Sequence, residues 1–208
     1  PVDEAGRQKA RDLLTCHGVD PAATLIGLHP TFSGAGLPWL RDRRGNRHRL
    51  WPPDAFAGLA RLLAGQARSS GRPLAIVIDS LPGETDRARL IADRSGGAVT
   101  VLSAPPDFQR YKGLLSLLDV LVTANTGPMH MAAALGTRLV ALFSGWQPED
   151  CGPYTDPATY RILQAEDTAH PSRGLAAIAP DDVAAAVWDV LAPAGHGRTG
   201  SGAADDPA

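Results

Sequence analysis

Between Asp119 and Phe143 the chain reads DVLVTANTGPMHMAAALGTRLVALF, and no other stretch limits the possible folds so strongly. Two short apolar runs, Val120 to Thr123 and Arg138 to Phe143, flank an Ala-rich segment that ends near Leu135. Strands covered on both faces read as continuous apolar runs, so the pattern predicts a parallel strand–helix–strand unit. Asn125-Thr126-Gly127-Pro128 forms the turn into the helix. Thr126 is placed to cap that helix, and Pro128 falls in its first turn, where a missing N–H costs nothing. A helix starting so abruptly after a strand directs free N–H groups and a positive dipole end into the crevice at the strand's carboxyl edge. Such a site suits an anion, a phosphate above all.

The remainder of the chain repeats this alternation. A helix capped by Asp3 is predicted to run to about Cys16, with Gly18 past its end. Further strands are predicted at Thr24 to Leu28, Leu74 to Ile78, Val99 to Leu102 and Tyr160 to Leu163. Helices are predicted after Trp51-Pro52-Pro53, after the Asp79 to Glu84 turn, around Tyr111 to Leu117 and from Pro180 to Leu191. This order argues for an α/β fold, a doubly wound parallel sheet of about six strands spanning residues 1–192. Residues 193–208, rich in Gly, Ala and Asp, have nothing to bury and are expected to be a disordered tail. The first residue is Pro1, and a helix is under way by Asp3, from which we expect a piece of a longer chain.

With 208 residues, a formal net charge of −2, 44% hydrophobic and 20% charged residues, the chain has the material of one ordinary globular domain. Near-neutral charge argues against a nucleic-acid partner. No apolar run reaches the length of a membrane span. Cys16 and Cys151 show no metal-ligand spacing and are read as reduced thiols of a cytoplasmic protein.

Ligands of doubly wound sheets sit beyond the carboxyl ends of the strands, so four loops are expected to converge there. They are the loop from Pro30 to Arg49, the Asp79 to Glu84 turn, the Asn125 to Gly127 turn and the loop from Ser144 to Pro157. Thr31 and Ser33 offer hydroxyls to a phosphate, and Arg49 offers a planar, bidentate donor. Arg49 adjoins Trp51, whose ring is expected to anchor it near the sheet. The run Arg41, Arg43, Arg44 and Arg47 has the donor, an acceptor or solvent as its possible neighbour. Glu84 is placed either to accept from ribose hydroxyls or simply to open a helix. His130, on the first turn after Gly127, faces either the crevice or the core; Met129 and Met131 read as packing. No Asp-x-Asp pair is present, which removes the usual carboxylate clamp for a metal-bound nucleotide sugar. No G-x-G-x-x-G follows a strand, and neither a Walker A sequence nor a G-x-S-x-G elbow appears.

Thr123-Ala124-Asn125-Thr126-Gly127-Pro128-Met129-His130, followed by Val140-Ala141-Leu142-Phe143, resembles the signature of glycosyltransferase family 9, the ADP-heptose:lipopolysaccharide heptosyltransferases. Leu28-His29-Pro30-Thr31, then Arg49-Leu50-Trp51-Pro52-Pro53, resembles that family's phosphate-binding loop and following helix, and Gly152-Pro153-Tyr154 matches a later element. The resemblance implies the C-terminal, donor-binding half of a GT-B fold, whose N-terminal acceptor domain is absent from this sequence. It implies a transferase that moves a sugar from a nucleotide diphosphate, ADP-heptose by default, with inversion and without a metal or other cofactor. The acceptor would be a glycan or lipid-linked glycan such as lipopolysaccharide core, placing the protein in the cytoplasm or peripherally at the inner face of the membrane. By position, Thr31 and Arg49 would hold the diphosphate, Thr126 and Gly127 would present backbone N–H groups to it, and Glu84 would lie near the nucleoside. The catalytic base is expected in the missing domain, so no catalytic residue and no metal ligand is assigned here. Asn125 stands where the family usually has Asp, and Arg49 where it usually has Lys. Asn125 also opens a second reading, a degenerate GT-B domain that binds a nucleotide or a partner without catalysis.

Overall fold

The computed structural model describes residues 2–31 and 48–192. Ser33, the arginines from Arg41 to Arg47 and the segment 193–208 lie outside the described residues. In chain order the main elements are α1 (Glu4–Cys16), β1 (Thr24–His29), α2 (Pro53–Ser69), β2 (Leu74–Ser80), α3 (Thr85–Arg94) and β3 (Val99–Ser103). After them come α4 (Phe108–Leu117), β4 (Val120–Ala124), α5 (Gly127–Ala134), β5 (Arg138–Phe143), the short α6 (Pro148–Cys151), β6 (Tyr160–Gln164) and α7 (Pro180–Leu191). Every strand pairing is parallel, and the sheet order is β3-β2-β1-β4-β5-β6. This is the Rossmann-like doubly wound order, which reverses direction between β1 and β4, where Ile26 pairs with Val120 and His29 with Thr123.

Alternation along the central strands divides the core in two. Ile26, Leu28, Val120, Val122, Val140 and Leu142 face α2, α3 and α7, packing on Phe56, Leu63, Ile91 and Val187. Leu25, Leu121, Leu139, Ala141 and Phe143 face α1, α4 and α5, packing on Ala10, Leu114 and Met129. Covering both faces is what lets these strands be apolar throughout, as their sequence indicated. Burial at the usual coefficient of about 25 cal/mol per Å² makes these two layers the dominant stabilising term.

On the second face α1 and α4 cross with their backbones nearly touching. A Cβ at Gly113 would stand 2.2 Å from the carbonyl oxygen of Gly6, and one at Gly6 would stand 2.6 Å from that of Gln109. Glycine at both positions is therefore a packing requirement. α4 starts at Phe108, earlier than its apolar residues suggest, because Asp107 caps it: its carboxylate accepts from the backbone N–H groups of Gln109 and Arg110 at 2.9 and 3.0 Å. Asp3 caps α1 in the same way, accepting from Gly6 N at 2.6 Å. Gly18, at φ 70°, closes that helix in the left-handed conformation. Among the described residues no helix is long and apolar enough to cross a membrane.

Candidate functional site

The reversal of strand order leaves a crevice beyond the carboxyl ends of β1 and β4, and a cavity of about 820 Å³ opens there. β1 brings His29 and Thr31 to it, β2 brings Asp79, and the turn after β2 brings Leu81 and Glu84. α4 and the residues before it contribute Pro106, Asp107, Phe108, Arg110 and Tyr111. α5 contributes Thr126, Gly127, Pro128 and Met131, and Arg49 closes the remaining side.

Five residues singled out in the sequence thus share one cavity: Thr31, Arg49, Glu84, Thr126 and Gly127. Asn125 and His130 are not on its walls. His130 is exposed, and the Asn125 amide donates to Cys151 Sγ at 3.0 Å, away from the cavity. The loop from Ser144 to Pro157 adds no lining residue; its place is taken by the segment from Pro106 to Tyr111, which the sequence reading had treated as a connection. Met131 lines the cavity while Met129 is fully buried in the core.

Thr126 occupies the N-cap position of α5, yet its hydroxyl does not cap the helix. It turns back toward β4 instead, 3.2 Å from the Thr123 hydroxyl and donating to Ala124 O at 3.3 Å. Among the described residues no side chain caps the first turn of α5; Pro128 has no N–H and Met129 N donates to Thr126 O at 3.0 Å, which leaves the Gly127 N–H. Gly127 is exposed, and nothing lies within 4 Å of where its Cβ would stand. An uncapped helix N-terminus facing open space suits an anion by both hydrogen bonding and dipole. Glu84 likewise stands at the N-cap of α3 without a side-chain capping bond, which leaves its carboxylate to other partners.

Arg49 is held in place through its neighbours. Trp51 is buried, stacks edge-on against Phe56 with centroids 4.8 Å apart and donates its indole N–H to Ile178 O at 3.0 Å. His48 O accepts from Leu175 N at 3.0 Å. Gly174 packs directly on His48 with φ 59° and ψ −145°, a conformation open in practice only to glycine. Arg87 of α3 reaches the same place: its Nε donates to Pro30 O at 2.8 Å and its Nη2 to Trp51 O at 2.6 Å. Nothing in the sequence pattern distinguishes Arg87 from the other arginines of its helix.

The floor of the cavity carries perturbed groups. Desolvation pushes His29 down to about 4, against a weaker opposing hydrogen bond to the Thr31 backbone, so the imidazole is neutral near pH 7. Asp79 and Arg110 form an ion pair with side chains 9% and 8% exposed. Burial raises the Asp79 carboxyl above its ordinary range in spite of that partner. Burial also pushes the Tyr111 phenol up, reinforced by the charges of Asp79 and Glu84, so Tyr111 remains a neutral donor. Asp107 is held down at about 2, first by its 2.8 Å contact with Lys9 Nζ and then by the backbone of Arg110. Among the described residues no group of three or more His, Cys, Asp or Glu is arranged to hold a metal ion. The cavity therefore has a cationic side, at Arg49 and the α5 N-terminus, and a polar, carboxylate-bearing side at Glu84 and Asp107.

Residues 43–175, more than half of the chain, match the model of "Glycosyltransferase family 9 (heptosyltransferase)". The chain belongs to glycosyltransferase family 9. No curated protein sequence matches it. Among solved structures it is similar to a family 9 glycosyl transferase from Veillonella parvula DSM 2008, with TM-score 0.71 and 22% identity, covering 92% of this chain and 52% of that one. It is also similar to the ADP-heptose lps heptosyltransferase II of E. coli, with TM-score 0.68 and 18% identity over 92% of this chain and 52% of the other. An E. coli heptosyltransferase solved with ADP gives TM-score 0.59 and 21% identity over 87% of this chain and 48% of that one. At these identities the likeness is one of fold, a Rossmann-like α/β domain with a parallel six-stranded sheet. This family 9 chain spans about half the length of the structures it matches.

Proposed function

We propose that this family 9 domain is the C-terminal, donor-binding half of a GT-B glycosyltransferase, comprising residues 1–192, and that it binds the diphosphate and nucleoside of a nucleotide sugar. One observation carries the reading: Thr31, Arg49, the uncapped N-terminus of α5 and Glu84 line the same cavity, at the point where the strand order reverses. A diphosphate between Arg49 and Gly127 would receive charge-assisted hydrogen bonds from the guanidinium and backbone N–H groups from the helix. Thr31 adds a hydroxyl at the end of β1. Glu84, across the cavity, is suited to accept from the ribose hydroxyls. Asn125 and His130 flank this turn but lie off the cavity walls, and no donor contact is assigned to them.

In the transfer reaction an acceptor hydroxyl attacks the anomeric carbon, the bond from that carbon to the phosphate oxygen breaks, and the nucleoside diphosphate leaves with inversion. Arg49 and the α5 dipole would stabilise the charge that develops on the leaving group, the task a metal ion performs in Asp-x-Asp transferases. The proton of the acceptor hydroxyl would go to a base on the N-terminal domain. ADP-heptose is the donor favoured by the family, and a glycan such as lipopolysaccharide core is the corresponding acceptor, reached at the cytoplasmic face of a membrane.

Calorimetric titration with ADP, GDP and UDP, with and without EDTA, tests the reading. ADP is expected to bind, equally well in the presence of EDTA; no binding of any of the three would overturn it. A second reading, a domain that binds nucleotide without catalysis, is favoured by the Asn125 amide being engaged with Cys151 Sγ rather than turned into the cavity. ADP-heptose binding by the two-domain protein with no transfer, restored by Asn125→Asp, would support that alternative. Sugar transfer by the 208-residue chain alone would show that the base does not come from another domain.

A further inference from the structure

The cationic side of the cavity depends on two pieces of chain far apart in sequence, Pro30-Thr31 after β1 and His48 to Trp51 before α2. Arg87 is the side chain that joins them. Its planar guanidinium donates through Nε to Pro30 O at 2.8 Å and through Nη2 to Trp51 O at 2.6 Å. Among the described residues Arg87 has no carboxylate partner; both of its hydrogen-bond acceptors are backbone carbonyls. Burial disfavours its charge, and among the described residues no counter-ion offsets that cost. A half-buried arginine used in this way is an uncommon choice for stability alone, because an apolar side chain would fill the same space without desolvating a charge. Its fork geometry, which lysine lacks, is what lets one side chain hold two carbonyls at a fixed separation.

We infer that Arg87 is a positioning residue that sets the distance between Thr31 and Arg49, the two side chains assigned above to the donor diphosphate. The inference rests on that assignment. Pro30 carries Thr31 directly after it, and Trp51 follows Arg49 by two residues, so fixing the two carbonyls fixes the approach of both ligand groups. Arg87 touches neither the phosphate nor the sugar. Its side-chain hydrogen bonds end on the segments that carry Thr31 and Arg49, while its tie to Glu84 runs through the helix backbone, Arg87 N donating to Glu84 O at 3.1 Å, a bond that side-chain replacement leaves in place.

The test compares the full chain with Arg87→Lys, which keeps the charge but replaces the rigid two-nitrogen fork with a single ammonium, and Arg87→Met, which removes it. ADP and adenosine are titrated by NMR, and amide hydrogen exchange is followed at the four amides of residues 48–52, Pro52 having none, without ligand. Both variants are expected to bind ADP more weakly, by about tenfold, and adenosine as the unmutated chain does. Exchange at residues 48–52 is expected to be faster in both. Unchanged ADP affinity, or equal loss of ADP and adenosine, would overturn the inference. Absence of ADP binding in the unmutated chain overturns the diphosphate assignment instead, and unchanged exchange at residues 48–52 then disposes of the clamp independently. Should Arg87→Met fail to fold, Arg87→Lys decides the matter alone.

Discussion

Arg110 reaches Asp79 across the floor of the cavity, one guanidinium nitrogen lying 3.2 Å from each carboxylate oxygen, and a second nitrogen holds Pro105 O at 3.0 Å. Among the described residues the Arg110 Nε has no partner, so the pair is incompletely satisfied even when intact. Removing one member strands a buried charge. Asp79→Ala is expected to destabilise the domain by about 3–5 kcal/mol in urea denaturation. The double replacement Asp79→Leu with Arg110→Met is expected to recover most of that loss, since no charge is left buried. A double variant no more stable than Asp79→Ala would contradict this account.

His29 predicts an acid limb in the stability curve. Its folded value is lowered from 6.5 to about 4, so between those pH values the unfolded chain binds a proton that the folded chain does not. Stability therefore falls as pH drops from about 6.5 to about 4, by up to about 3 kcal/mol, and is independent of this group above 6.5. Asp107, lowered to about 2, acts only below the ordinary carboxylate range, whereas Asp79, raised by burial, acts above it with the opposite sign, so the His29 share is read from the difference that removing the imidazole makes. Urea midpoints measured across the window should lose most of this slope in His29→Gln; an unchanged slope would remove His29 as its source.

The crossing of α1 and α4 predicts a severe effect from a single methyl group. A Cβ at position 113 would meet the Gly6 backbone, which cannot rotate away as a side chain would. Gly113→Ala is expected to cost about 3 kcal/mol and to lower the thermal midpoint accordingly. Gly65→Ala is the control: it lies mid-helix in α2 with nothing within 4 Å of its Cβ, and it is expected to be neutral or mildly stabilising. Similar midpoints for the two variants would argue against the close crossing.

Arg49 and Glu84 are expected to separate by ligand. Arg49→Ala should weaken ADP by tenfold or more, on the order of 1.4 kcal/mol or above, and leave adenosine unaffected. Glu84→Ala should weaken both ligands alike, because the ribose is common to them. Titration of the two variants with the two ligands gives four values, and loss of adenosine binding in Arg49→Ala would break the assignment of roles.

Gly174 is expected to act on Arg49 from a distance. Its φ of 59° and ψ of −145° suit glycine alone, and a Cβ there would stand 2.6 Å from His48 Cβ. Gly174→Ala should destabilise the domain by about 1–3 kcal/mol through backbone strain and displace the residue next to Arg49. Calorimetry should then record weaker ADP binding, and affinity equal to that of the unmutated chain would refute the coupling.

The layered architecture was legible in the chain itself, because apolar runs such as Val120 to Val122 and Leu139 to Phe143 have one stable use, as strands covered on both faces. The strand–turn–helix junction at Thr126 and Gly127 was legible for a related reason: a strand leading straight into a helix leaves N–H groups whose direction local geometry fixes. Even there the sequence misjudged the Thr126 hydroxyl, which prefers the carboxyl end of β4 to the helix it precedes. The other wall of the cavity was not legible. Phe108, Arg110 and Tyr111 join the site because β3 lies beside β2 at the sheet edge, and Arg110 finds Asp79 across 31 positions of sequence. Arg87 serves the cavity only because α3 passes close to Pro30 and Trp51 at once. Periodicity and capping act over a few residues and can be read from neighbours in sequence. Ion pairs and carbonyl clamps between distant segments exist only once the sheet order has brought those segments together.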